Sequence, residues 1–236
     1  MLRFLVILIG IAGAIVAAIW ITYYLVFVIE GPEETRTKAL RTVARSRSLR
    51  FNAINDFKHR STYRAFNIFP TSGHCINTMD GYCKIKGKPH RIKMGDFEYT
   101  VSSDDGSTTY RFSYLCVHLP YTDVPELSIR NEKFMDKIKA SVGFEDIDFE
   151  SAHFSRKYYV QSPDKKFAYS VITPLMMEDS LRYPLPEINM KDGIICVSDG
   201  RTRWQPHEFF PRLDPVADFL NLWPEHVIRS LQERVI

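Results

Sequence analysis

An uncharged apolar run from Phe4 to Ile29 limits this chain more than any other feature of its sequence. As a helix the run would rise roughly 39 Å, against about 30 Å of bilayer hydrocarbon. Only Gly10, Gly13 and Thr22 dilute it, and Trp20, Tyr23 and Tyr24 fall where a headgroup-level aromatic belt is expected. A secretory signal has an apolar core of only about 7 to 15 residues and then a small-residue cleavage site, and this run fits neither. The run predicts an uncleaved transmembrane helix with Phe4, Trp20, Tyr23, Tyr24 and Ile29 as anchor residues. Gly10, Gly13, Ala14, Ala17 and Ala18 space small residues along it, which permits a homodimer through the anchor helix or an ordinary single span.

Charge sets the expected orientation. One basic side chain, Arg3, precedes the run, whereas Arg36, Lys38, Arg41, Arg45, Arg47 and Arg50 follow it closely. The positive-inside rule then puts the C-terminal domain in the cytoplasm. Residues 1–50 hold seven basic and three acidic side chains, leaving 24 basic against 25 acidic in the rest of the 31 and 28. The folded part thus lacks the basic excess of a nucleic-acid binder, so no nucleic-acid partner is expected. The basic residues beyond the run read as lipid-surface contacts on anionic headgroups, or as a topology signal on a solvated linker. The four cysteines (Cys75, Cys83, Cys116, Cys196) would be buried thiols in a reducing compartment. On the outer side two disulfides would be allowed, with three pairings open.

The expected layout is a transmembrane anchor over 1–31, a basic juxtamembrane linker over 32–50 and one domain over 51–236. Ile92 to Ser102 and Thr108 to Leu119 read as strands around an Asp104-Asp105-Gly106 hairpin signal. Lys133 to Val142 is helix-like. Asp164 and Thr173, the latter with Pro174 behind it, read as helix N-caps. Ile194 to Val197 and Thr202 to Gln205 predict a hairpin about Asp199-Gly200. Asp214-Pro215 opens a C-terminal helical period that Pro224 should kink or restart. The predicted fold class is α+β: an N-terminal transmembrane helix followed by one soluble domain with an antiparallel β-sheet and packed helices.

Two clusters have residue types that support chemistry. His74, Cys75, Cys83 and His90 offer nitrogen and sulfur ligands suited to tetrahedral zinc, although the cysteines are too widely spaced for a knuckle. Asp148 and Glu150, with Asp146 before them and His153 beyond, alternate as on one face of a strand, where a divalent cation or a general acid/base pair is held. The plainer readings are buried thiols with strand-end histidines for the first, and a solvated face paired to Arg156 and Lys157 for the second. No serine elbow, metalloprotease motif or phosphate loop is present, so no cofactor is expected. Trp204, Phe209 and Phe210 form an aromatic patch that either binds a partner or packs under the C-terminal helix.

Asp148-Phe149-Glu150-Ser151, the run Phe154 to Val160, Ala168, Thr173-Pro174 and Met177-Glu178 carry a resemblance. Over about 40 residues, Phe144 to Leu181, the text resembles a family of bacterial single-pass membrane proteins with a soluble domain of unknown function. The resemblance implies a bacterial inner-membrane protein with a β-rich domain, and it brings no catalytic residues. The sequence as a whole thus predicts a membrane-tethered, non-enzymatic binding or scaffolding module. Its expected partners are the lipid bilayer and another membrane or cytoplasmic protein. The alternative is a membrane-anchored hydrolase or metal-dependent enzyme built on Asp148, Glu150 and His153.

Overall fold

The computed structural model describes residues 13–22, 31–56, 62–63, 65–85, 87–104, 106–121, 123–131 and 146–234. Among the described residues no helix is long and apolar enough to cross a membrane. This finding overturns the transmembrane helix expected over Phe4 to Ile29. With it go the single-pass, inner-membrane localisation and the orientation drawn from it. Of the expected anchor residues only Trp20 is described, and it is exposed; Phe4, Tyr23, Tyr24 and Ile29 lie outside the described residues. The helix-like segment at 133–142 also lies outside them.

The stretch expected as a linker is instead a helix, α1 (Pro32–Ser46), packed on the domain. Gly31 takes φ 76 ahead of it, Pro32 opens it, and Glu33 and Glu34 sit in its first turn, where the helix dipole favours acids. Leu40 and Ala44 on its inner face are fully buried. Several cations on α1 and at its C-cap find partners in the protein. Arg36 ion-pairs with Asp96, Lys38 with Glu34, and Arg41 and Arg47 lie over the rings of Phe51 and Phe210.

The chain then forms β1 (Arg50–Asn52), β2 (His74–Ile85), β3 (Lys88–Ser103), β4 (Gly106–His118) and β5 (Leu127–Asn131). After these come α2 (Ala152–Ser155), β6 (Tyr158–Gln161), α3 (Lys165–Val171), α4 (Pro174–Arg182), β7 (Ile188–Lys191) and β8 (Ile194–Val197). A 3₁₀ turn (Pro206–Glu208), α5 (Leu213–Asn221) and α6 (Glu225–Glu233) complete it. The strands form one antiparallel eight-stranded sheet in the order β1-β2-β3-β4-β8-β7-β5-β6.

Local chemistry accounts for the boundaries. Asp164 and Thr173 accept hydrogen bonds from the amides of Phe167 and Met176, capping α3 and α4. Pro224 separates α5 from α6, while α5 begins at Leu213, before the expected Asp214-Pro215 start. The β7–β8 turn is Asp192-Gly193, both with positive φ, 51 and 68, as a tight hairpin requires. A bulge interrupts β2 between Ile76 and Met79, and Asn77 there takes φ 51. Gly95 faces the bulge, and a Cβ on it would lie 3.0 Å from both the Ile76 carbonyl and the Thr78 Cα. The close approach explains the glycine.

Successive strand residues point to opposite faces, so the sheet separates two environments. One face carries Met79, Ile92, Met94, Leu115, Val117, Ile129, Ile188, Ile195 and Val197. The helices pack on it to form the main core, including Trp204 and Phe209, which are buried rather than presented to a partner. The second face has a smaller core at its centre. There Tyr63, Phe66 and Phe69 of the segment before β2 cover Phe97, Phe112, Tyr114, Cys116, Ile194 and Cys196.

Candidate functional site

The second face has a polar row running the full width of the sheet. Register partners place Arg50, Asp80, Lys93, Cys116, Cys196, Asn189, Ser128 and Gln161 side by side across the eight strands. The aromatic segment covers the two cysteines in the middle and leaves a polar groove on either flank.

The flank over β1, β2 and β3 is a shelf of about 680 Å³ lined by Arg50, Asp56, Asp80, Arg91 and Lys93. Its charges satisfy one another. Arg50 and Arg91 meet Asp80 at 3.2 and 3.0 Å, and Lys93 meets Asp56 at 3.1 Å. Burial pushes the Asp80 carboxyl up, but the hydrogen bond and charge of Arg91, with Lys93 and Arg50, hold it below its ordinary value.

The other flank, over β5, β6 and β7, is a groove of about 320 Å³. Ser128, Arg130, Asn189, Lys191 and Gln161 contribute polar lining, and Phe66 and Ile68 of the covering segment form an apolar wall. Ser128 donates its hydroxyl to Asn189 Oδ1 at 3.0 Å. That contact fixes the amide, and Asn189 Nδ2 is then buried with no hydrogen-bond partner among the described residues. Lys191 and Glu126 pair at 2.6 Å along one edge. Beyond the opposite end of β7, burial raises the Glu187 carboxyl, partly offset by the charges of Arg201 and Arg130.

A second polar cluster lies on the helix-covered face. Asp96 is fully buried and receives the Arg36 guanidinium on both oxygens at 2.8 Å, the Ser113 hydroxyl at 2.7 Å and Arg203 at 3.3 Å. Arg203 in turn grips Glu33 of α1 through two hydrogen bonds of 2.7 and 2.6 Å. Burial pushes the Asp96 carboxyl up, and Arg36, Ser113 and Arg203 together hold it below the ordinary carboxylate value. Arg203 Nε is the one buried atom of this cluster without a partner among the described residues. Cations and carboxylates balance here, so the cluster fastens α1 to the sheet.

The residues singled out in the sequence separate into these surroundings. Cys83 and His90 are cross-strand partners, and His74 and Cys75 lie nine and eight positions back from Cys83 along β2, roughly 25 to 30 Å away at a strand's rise. His74 faces Glu98 at 3.6 Å, Cys75 is buried in the smaller core, and His90 Nδ1 contacts the His118 carbonyl. No metal-ligating group of three exists among the described residues, and the four candidate zinc ligands are not brought together. Asp148 and Glu150 are exposed on open surface, and His153 contacts Arg156 at 3.0 Å. Asp146 accepts the amides of Ile147 and Val160 instead of facing its neighbours. Of the expected lipid contacts, Arg50 lies on the shelf, Arg36 is in the Asp96 cluster, and Arg45 is exposed on α1.

Comparison with known proteins adds a fold likeness. The chain is similar to the crystal structure of the mycobacterial trehalose monomycolate transport factor A, TtfA, with a TM-score of 0.51 and 11% identity over 80% of this chain and 96% of that one. At that identity the likeness concerns the fold alone. No family model and no curated protein matches the chain.

Proposed function

We propose that this protein is a non-enzymatic binding module whose site is the β5–β6–β7 groove. The carrying observation is Asn189: its Nδ2 is buried in the groove lining without a partner among the described residues, while Ser128 orients the amide. A buried donor left unmade costs about 1–3 kcal/mol, which a bound oxygen acceptor would recover. The fitting ligand presents a carbonyl or carboxylate oxygen to Asn189, with Arg130 beside it for negative charge and Phe66 and Ile68 for an apolar flank. The acidic cluster that an enzyme would need is spread over open surface, which supports binding over catalysis. TtfA, similar in fold, is named a transport factor; that accords with a binding role and supplies no residue to it.

NMR titration with acetate and with N-acetylglycine tests this reading. The expected result is a set of saturable shifts centred on Ser128, Arg130 and the Asn189 side-chain amide, lost in Asn189→Leu. Shifts confined to the shelf at Asp80 and Lys93, or no saturable shifts, would refute it.

A further inference from the structure

The centre of the second face holds a feature independent of the groove. Cys116 on β4 and Cys196 on β8 are directly opposed register partners, and both are fully buried. Directly opposed residues of an antiparallel pair have Cα atoms about 4.5 or 5.5 Å apart, according to their place in the hydrogen-bond pattern. A disulfide spans Cα separations of about 4.4 to 6.8 Å and needs the Cβ atoms about 3.5 to 4.5 Å apart. The Leu119 amide bonded to the Gly193 carbonyl three pairs along puts Cys116 and Cys196 at a non-hydrogen-bonded position, the closer of the two arrangements. The other two thiols are excluded by position. Cys75 belongs to the same core but sits on β2, two strands from β4, at least about 9.5 Å away at the usual strand spacing. Cys83 packs against the core on the opposite face.

We propose that Cys116 and Cys196 are a latent cross-strand disulfide, closed by a peroxide, that locks β4 to β8. This seam is where the β1–β4 meander meets the β8-β7-β5-β6 block in the sheet order. In the reaction one thiolate attacks a peroxide oxygen, giving a sulfenic acid and, after protonation, one water. The second sulfur attacks the sulfenic sulfur, and its proton leaves with the hydroxyl as a second water. Two thiols are oxidised by two electrons, and the peroxide is reduced to two waters. Burial pushes the Cys116 thiol up, reinforced by Cys196 beside it. Tyr63, Phe66 and Phe69 lie over the pair. Closure is therefore slow at neutral pH and faster in alkaline buffer or when the covering segment lifts.

The test treats the reduced full-length protein with hydrogen peroxide in mildly alkaline buffer, alkylates the remaining thiols and maps unreduced peptides by mass spectrometry. The expected product joins the peptides of Cys116 and Cys196 with loss of two hydrogens, in the wild type and equally in Cys75→Ser. Amide exchange along β4 and β8 should then slow by about tenfold or more. A second arm refolds the denatured chain in oxidised and reduced glutathione, which removes the access barrier. The Cys116–Cys196 link in either arm supports the proposal. A Cys75–Cys116 link, or no Cys116–Cys196 link in both arms, overturns it.

Discussion

Asp96 and Asn189 are both polar side chains set into the sheet, one on each face, and they differ in how their hydrogen-bonding capacity is used. Asp96 accepts from Arg36, Ser113 and Arg203, and its charge is matched inside the protein. Asn189 has its oxygen occupied by Ser128 and its nitrogen buried at the edge of a groove without a partner among the described residues. A buried group that is satisfied internally holds the fold together. One left open beside a cavity carries a cost that folding alone does not recover, and that cost is the reason to place a ligand there.

The largest expected effect breaks the closed site. Asp96→Asn leaves Arg36 and Arg203 facing a neutral amide, and losing one partner of a buried ion pair costs about 3–5 kcal/mol. Urea unfolding should show the loss as a lower midpoint at unchanged slope. Acid should weaken the same site. The folded Asp96 carboxyl lies below its ordinary value of 3.8, so its contribution is complete above pH 3.8 and is lost as the pH falls through the folded value.

Glu187 carries the opposite sign. Burial raises its carboxyl above the ordinary 4.5, so its charge weakens the fold near neutrality, and stability returns as the pH falls from the folded value towards 4.5. Unfolding free energy measured against pH should therefore rise in wild type relative to Glu187→Gln in that window. A smaller effect is expected on the shelf, where pairing is exposed. The Arg50 side chain is 82% exposed, and Arg50→Ala should cost no more than about 1 kcal/mol, since surface ion pairs contribute little.

The sequence made part of this legible. The Asp104 to Gly106 signal marks the β3–β4 hairpin, with Ser103 paired to Gly106, and the caps at Asp164 and Thr173 lie where the residue types place them. These are local signals, read within four residues. The β7–β8 hairpin is hidden in the sequence because two signals of the same kind, Asp192-Gly193 and Asp199-Gly200, compete, and the turn forms at the first. Asp199 instead accepts the amides of Arg201 and Thr202 in a turn of its own. Helix α1 resembles a solvated linker in the sequence because the partner of Arg36, which fastens it, lies 60 residues on. Ser128 and Asn189 meet across 61 residues, and strand register of that range leaves no periodic trace in a single sequence. The transmembrane expectation rests on an uncharged apolar run and its aromatic residues, and among the described residues no helix is long and apolar enough to cross a membrane.

The most direct test of the open-site reading is the stability of Asn189→Leu measured beside Asp96→Asn by urea unfolding. Leucine removes the orphaned donor and returns Ser128 to solvent, so the variant should stay within about 1 kcal/mol of wild type, or gain stability. A loss as large as that of Asp96→Asn would make the amide a structural element of the sheet and contradict the account.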